Sequence, residues 1–129
     1  MSQYIKNFNE RSYWAATEIV FTPNLKQRVS VVKRMIHIAE KCLELNNFYS
    51  AMAIIAGLHQ SSITRLRKTW KTLPSKFLDT FKKCTQLLSA EGNYRSYRSS
   101  LEKAVPPVNP YIGLYLKDLT FIEVSEYYC

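Results

Sequence analysis

The chain has 129 residues, 47% of them hydrophobic and 22% charged, a composition typical of a globular domain and unlike that of a disordered chain. No apolar run approaches the roughly 18 residues that cross a membrane, and the polar start MSQYIKNFNE is unlike a secretion signal, so we expect an intracellular protein. The net charge of +8 is compatible with nucleic acid, an anionic membrane or an acidic protein patch, and charge alone does not choose among them.

Apolar periodicity predicts helices in the first half of the chain. A short apolar segment over residues 12–21 is stopped before Pro23, and Asn24 is a suitable N-cap for a long amphipathic helix. That helix ends at the asparagine pair that begins with Asn46. The next helix, about Phe48 to Leu58, is apolar on nearly every side, so we expect it to lie at the centre with neighbours all round.

The second half also has helical periodicity, but only up to a double proline. A helix opened by Pro74 has an apolar stripe that runs to Leu88, and Gly92 marks the break before another stripe over residues 94–104. After Pro106-Pro107 the apolar residues of segment 111–122 alternate irregularly, and we predict an extended conformation there.

The residue types that carry catalysis or bind metals do not cluster in this sequence. The three glycines are isolated, so there is no phosphate-binding loop, and the ten carboxylates form no obvious acid–base pair. His37 has no second ligand at one-turn spacing, whereas His59 lies in a polar turn and could bond a partner. Cys42, Cys84 and Cys129 form no CxxC pattern, and we expect the first two to be core or near-core thiols. These observations favour a macromolecule-binding protein without covalent chemistry, metal or cofactor.

Basic residues are concentrated between residues 65 and 71, in the run RLRKTWK. As a helix this run would spread its charges over more than one face, so a solvated surface, a protein contact and nucleic-acid binding all remain open. Basic and aromatic residues also alternate from Tyr94 to Arg98. The two tyrosines there fall on a helical stripe, which is more typical of a core than of a base-stacking platform. Nucleic acid is therefore the weakest of the three interpretations.

Four blocks of the sequence resemble the Ras-type guanine-nucleotide exchange factor catalytic domain (RasGEF domain), in the order of that family. Joint occurrence in order is far more specific than any one block. The resemblance implies an all-α, irregular helical bundle that holds a small GTPase of the Ras family and needs no metal or organic cofactor. The blocks are FNERSYWAATEIV at 8–20, LNNFYSAMAIIAGLHQSSITRLRKTW at 45–70, NYRSYRSSL at 93–101 and PPVNPYIGLYLKDLTFIE at 106–123.

The resemblance also implies which residues bind the GTPase. An aromatic side chain of its switch II region would enter a pocket formed by Ile5, Met52, Leu58, Tyr94 and Tyr111. Burial of such an anchor contributes roughly 1.5–3 kcal/mol, and anchors of this kind dominate interfaces.

Polar residues would surround that pocket. Lys6 and Asn9 would lie at its rim. His59 stands where relatives often have an asparagine that bonds the GTPase, and Thr64 stands where some relatives place a tyrosine near the interface. Arg65 falls on the family's Arg-Leu pair, and we expect it to support the fold and not to contact the partner.

The implied function is guanine-nucleotide exchange on a GTPase of Ras, Rap or Ral type, a choice that the sequence leaves open. Residues 1–129 are expected to be a partial RasGEF catalytic domain that lacks the family's N-terminal helices and its C-terminal helical hairpin. We therefore expect weak GTPase binding and little exchange by this chain alone. The alternative is a helical protein-interaction scaffold without exchange activity. Either protein would be cytoplasmic, with no nucleic-acid partner and no direct membrane insertion, and any membrane recruitment would come from other domains or partners.

Overall fold

The computed structural model describes residues 2–128, and this part of the chain is all-α, as predicted. Its one β-type contact is an isolated bridge between Asn47 and Asn109 within these residues. The eight helices of the described chain are α1 (Ser2–Val20), α2 (Leu25–Glu44), α3 (Phe48–Leu58), α4 (Ser61–Thr64), α5 (Arg67–Thr72), α6 (Ser75–Leu87), α7 (Glu91–Lys103) and α8 (Ile112–Tyr128).

Asparagine caps set the starts of α2 and α3. The Asn24 side chain accepts a hydrogen bond from Gln27 N at 3.0 Å, which confirms the predicted N-cap of α2. Asn47 does the same for α3 by accepting from Ser50 N at 3.1 Å. Between the two helices, Asn46 has a φ of 59°, a left-handed conformation that asparagine tolerates better than most residues. Local side-chain chemistry therefore fixes both helix starts.

Helix α3 is the centre of the molecule, as its sequence predicts. Nine of its eleven residues are buried, and it packs against both α1 and α2. At Gly57 a Cβ atom would lie 2.5 Å from the backbone oxygen of Ser12, so only glycine allows α1 to come this close. Ala15, also fully buried, continues the close contact between the two helices.

Helix α1 is longer than the apolar segment over residues 12–21 suggests, since it begins at Ser2. Its first half is held by two aromatic residues that lie one turn apart, Tyr4 and Phe8, and both contact Tyr49 of α3. Most of the residues between them are exposed, so the apolar stripe there is only one residue wide and is inconspicuous in the sequence.

The prediction of extended structure over residues 111–122 is wrong, because α8 covers Ile112–Tyr128. Leu114 is 1% exposed, whereas Leu119, Phe121 and Ile122 are 62%, 73% and 53% exposed. The apolar side chains thus lie on several sides of the helix and not on a single stripe. A helical period of 3.6 residues is not visible in such a pattern.

Candidate functional site

Four aromatic side chains form a continuous row beside the start of α8. The ring centroids of Tyr4 and Tyr49 are 4.8 Å apart, those of Tyr49 and Phe8 are 5.7 Å apart, and those of Phe8 and Tyr111 are 5.1 Å apart. Tilted and edge-on pairs at these distances are favourable ring geometries. This aromatic row (Tyr4, Tyr49, Phe8 and Tyr111) joins α1 and α3 to Tyr111, the residue that precedes α8.

Two tyrosine hydroxyl groups accept hydrogen bonds from the backbone where α8 begins. Tyr111 N donates to Tyr97 Oη at 2.8 Å, and Ile112 N donates to Tyr4 Oη at 2.9 Å. The first N–H groups of a helix have no acceptor within the helix, so these two hydroxyls supply partners that the backbone lacks. Burial raises the pKa of both Tyr4 and Tyr97 above the usual tyrosine value, which keeps the hydroxyls neutral.

An ion pair joins α7 to α8. Arg98 contacts Asp118 in a bidentate arrangement, with Nη1 to Oδ2 and Nη2 to Oδ1 both at 2.9 Å. The hydrogen bonds from the guanidinium hold the pKa of the Asp118 carboxyl below its usual value. Arg98 Nε also donates to Asn93 O at 2.8 Å. One side chain therefore contacts both α8 and the beginning of α7.

The beginning of α7 has an unusual backbone. Gly92, Asn93 and Tyr94 have φ values of 62°, 57° and 61°, in the left-handed region that residues with side chains rarely adopt. Such conformations are found where the surrounding structure holds them, often at functional sites. Here the turn presents a half-buried Tyr94 ring, and Lys117 Nζ lies 5.5 Å from its centroid. Burial, with a smaller contribution from Tyr94, raises the pKa of the Tyr111 hydroxyl.

The model of the RasGEF domain family matches residues 1–127 of this chain. The chain belongs to the RasGEF domain family. It is 44% identical over 115 residues to Ras guanine nucleotide exchange factor M of Dictyostelium discoideum and 48% identical over 122 residues to exchange factor E of the same organism. Exchange factor Y is 42% identical over 123 residues. These alignments cover 89%, 93% and 95% of the chain, but only 12%, 12% and 8% of the relatives.

The residues predicted to form the RasGEF pocket differ widely in exposure. Ile5 is 49% exposed on α1, Tyr94 is half-buried near the start of α7, and Tyr111 is half-buried just before α8. Met52 is 9% exposed on α3, while Leu58 at the end of that helix is fully buried. The structure therefore places Leu58 beneath the surface, where its side chain can support a binding surface but not form its outer wall.

The predicted rim residues are all exposed. Lys6 Nζ lies 3.8 Å from Glu10 Oε1 on the same helix, and Asn9 lies beside that pair in sequence. Thr64 is on the short helix α4. His59 Nε2 lies 3.0 Å from Thr85 Oγ1, and partial burial lowers the pKa of its imidazole. This ring is therefore neutral near pH 7 and already has one hydrogen-bond partner.

The sequence patterns did not single out Tyr4 and Phe8, and they placed the fully buried Tyr97 on a core-like stripe without indicating its role in this region. The four-residue spacing of Tyr4 and Phe8 was a usable signal, because it places both rings on one face of a helix. Nothing local to Tyr97 predicts that its hydroxyl reaches the backbone of Tyr111.

The described residues offer no centre for metal or thiolate chemistry. Among the side chains that the structure describes, no three His, Cys, Asp or Glu residues are grouped as metal ligands would be. Cys84 is buried and Cys42 is half-buried, as predicted, and burial raises the pKa of both thiols. Cys129 lies outside the described residues. In the same part of the chain, no helix combines the length and apolar character that crossing a membrane requires.

Proposed function

We propose that this chain binds a small GTPase of the Ras family and promotes release of its GDP. The observation that carries the proposal is the RasGEF match over nearly the whole chain, which includes the aromatic row and Tyr94. The relatives named Ras guanine nucleotide exchange factor support the same activity. A mechanism of this kind needs no acid, base or nucleophile from the chain.

Exchange of this kind follows from differential binding. A protein that binds the nucleotide-free GTPase more tightly than the GDP-loaded one must weaken GDP binding by the same factor, because the coupling between two ligands is reciprocal. The chain therefore needs a surface that fits one state of the GTPase better than the other, and its contribution is a free-energy difference between states.

The proposed contact surface is apolar and held in place before the partner binds. Tyr111 has its backbone N–H bonded to Tyr97 and its ring packed on Phe8, so little conformational freedom is lost when a partner docks. Met52 of α3, a side chain that adapts easily to a new neighbour, is 9% exposed. An aromatic side chain of the GTPase that packs there would supply the main anchor.

The polar rim would orient the partner. We propose that Lys6, Asn9 and Thr64 contact the GTPase, because all three are exposed. His59 Nε2 is already paired with Thr85, so a bond from His59 to the GTPase would use Nδ1 or displace that contact. The choice among Ras, Rap and Ral types depends on such rim contacts, since specificity is a difference between affinities.

Capture of nucleotide-free GTPases of Ras, Rap and Ral type by the immobilised chain tests the proposal. Tyr111→Ala should lower capture at least tenfold, about 1.4 kcal/mol, because it removes the central ring of the surface. Phe21→Ala is the control, since Phe21 is 79% exposed in the turn after α1 and is not one of the proposed contacts. Its capture should change less than twofold.

A second variant separates loss of contact from loss of fold. Tyr111→Phe keeps the ring that packs on Phe8 and should retain most of the capture. Equal losses in Tyr111→Ala and Phe21→Ala, in proteins with unchanged helical circular dichroism, would contradict the proposed surface. Failure of the folded chain to retain any of the three GTPases would contradict the function and favour the helical scaffold.

We further propose that residues 1–129 are part of a larger RasGEF catalytic domain, in a cytoplasmic protein, and accelerate exchange only weakly by themselves. Release of fluorescent GDP from the same GTPase, loaded with this nucleotide and then mixed with the chain, measures this. Full acceleration at micromolar concentrations of the chain would contradict the proposal of a partial domain while leaving the exchange function intact.

A further inference from the structure

The net positive charge of this protein comes from one part of its chain. Residues 25–87, which form α2 to α6, contain 12 Lys and Arg against 3 Asp and Glu, a formal charge of +9. All other residues together contain 6 basic against 7 acidic ones, a formal charge of −1. Among the described residues of this basic part, Lys41 is the cation whose charged nitrogen lies within 4.0 Å of a carboxylate oxygen, and its partner is Glu44. Most of its cations therefore face solvent without a carboxylate partner.

Four of these cations form a continuous surface between α2 and α6, which we call the basic face: Lys26, Lys33, Arg34 and Lys76. They line two adjoining, solvent-open grooves that share Lys33. Glu40 is the carboxylate that lines the same grooves. The surface thus keeps a clear positive excess.

The centre of the basic face holds two lysines that approach the same aromatic ring. Lys33 Nζ from α2 lies 5.5 Å from the ring centroid of Phe77, and Lys76 Nζ lies 6.0 Å from the same centroid. Attraction to the ring does not neutralise the charge of either ammonium group. Both charges therefore remain able to attract a polyanion placed over the face.

We propose that the basic face docks on the surface of an anionic phospholipid membrane. Three of its four cations are lysines, point charges without the fork geometry by which arginine recognises a single phosphate or carboxylate, so the face suits a diffuse negative surface. Phe77 is half-buried with ammonium groups at its ring and offers no platform for base stacking, which disfavours nucleic acid. The contact is peripheral, with the side chains at the headgroup level.

This docking surface and the proposed GTPase surface lie on different elements. The basic face belongs to α2 and α6, whereas the aromatic row and Tyr94 belong to α1, α3, α7 and the start of α8. The membrane contact therefore does not depend on the proposed exchange function, and the two surfaces share no residue.

Co-sedimentation of the whole chain with lipid vesicles tests this inference. We expect binding to vesicles of phosphatidylcholine with 30% phosphatidylserine at 0.15 M salt, and little binding to pure phosphatidylcholine. The double variant Lys33→Gln/Lys76→Gln should lower the partition coefficient on the order of thirtyfold, because each basic residue near an anionic membrane contributes about fivefold. The matched control Arg95→Gln/Lys103→Gln removes the same charge from exposed residues of α7 and should change it less than twofold.

Two further measurements make the outcome decisive. Lys33→Arg/Lys76→Arg keeps the charge and should restore vesicle binding, which separates charge from damage to the fold. The proposal is overturned if the two glutamine variants lose binding equally, or if the folded chain does not bind anionic vesicles. It is also overturned if the chain binds a duplex oligonucleotide more tightly than it binds the vesicles, and if that binding requires Lys33 and Lys76.

Discussion

Helices α3 and α8 are both rich in apolar residues, but they are held in the molecule by different forces. Nine of eleven α3 residues are buried between its neighbours, whereas three large apolar side chains of α8 are more than half exposed. Besides the buried Leu114, polar contacts hold α8: the hydroxyls of Tyr4 and Tyr97 at its start, and the ion pair of Asp118 with Arg98 further along. Apolar composition alone therefore does not reveal what fixes a helix. Contacts with Tyr97 and Phe8 decide where Tyr111 lies.

The largest effect should come from a truncation in α3. Ile55 is 4% exposed, so Ile55→Ala should lower the free energy of unfolding by about 2–5 kcal/mol through lost burial and a cavity. Leu119→Ala on α8 is the matched change at a 62% exposed position and should alter it by no more than about 0.5 kcal/mol. Urea unfolding followed by circular dichroism measures both. Similar losses in the two variants would show that α8 is packed like α3.

A smaller effect should come from removal of one hydroxyl at the start of α8. Tyr97→Phe leaves Tyr111 N–H without its acceptor, which costs about 1–3 kcal/mol for a buried group. Hydrogen exchange measured by NMR should then show faster exchange of the Tyr111 and Ile112 amides, with protection in α3 unchanged. Tyr115→Phe, at a 39% exposed position on α8, is the control and should leave these rates alone. Unchanged exchange at Tyr111 in Tyr97→Phe would refute the role given to the hydroxyl.

The smallest effect should come from the ion pair between α7 and α8. Arg98 lowers the pKa of Asp118 in the folded protein below the usual aspartate value of 3.8. The pair therefore stabilises the fold fully at pH values above 3.8. This stabilisation is lost as the pH falls through the lower pKa of the folded state. Asp118→Asn should remove this part of the acid dependence, measured as unfolding free energy between pH 6 and pH 2. Because both side chains are about one-third exposed, salt should weaken the effect. An identical pH dependence in the variant would argue against the pair.

Local signals in the sequence predicted the local features of this fold. The N-cap of α2 at Asn24 and the end of that helix at Asn46 follow from side-chain chemistry within a few residues. The central position of α3 follows from its uniform apolar character. Helix α8 was missed because its apolar residues cover several sides of the helix. Its burial pattern depends on the helices that pack against it, and the sequence carries no period that shows this.

The candidate site was less accessible to sequence reasoning than the helices were. The resemblance supplied Tyr94 and Tyr111, but the residues that position Tyr111 come from distant parts of the chain. Tyr97 Oη accepts a hydrogen bond from the backbone N–H of Tyr111, 14 positions away in the chain. Tyr4 Oη accepts one from the backbone N–H of Ile112, 108 positions away. Contacts over such separations depend on how the helices pack, which local patterns do not specify. The left-handed turn at Gly92 was visible as a break, but its continuation through Tyr94 was not.

The most direct test of the account is the affinity of the chain for one Ras-family GTPase in two states. Immobilised chain should bind the nucleotide-free GTPase at least tenfold more tightly than the same GTPase saturated with GDP, because exchange by differential binding requires this preference. Equal affinities for the two states, measured with a chain whose helical circular dichroism is intact, would contradict the proposed function.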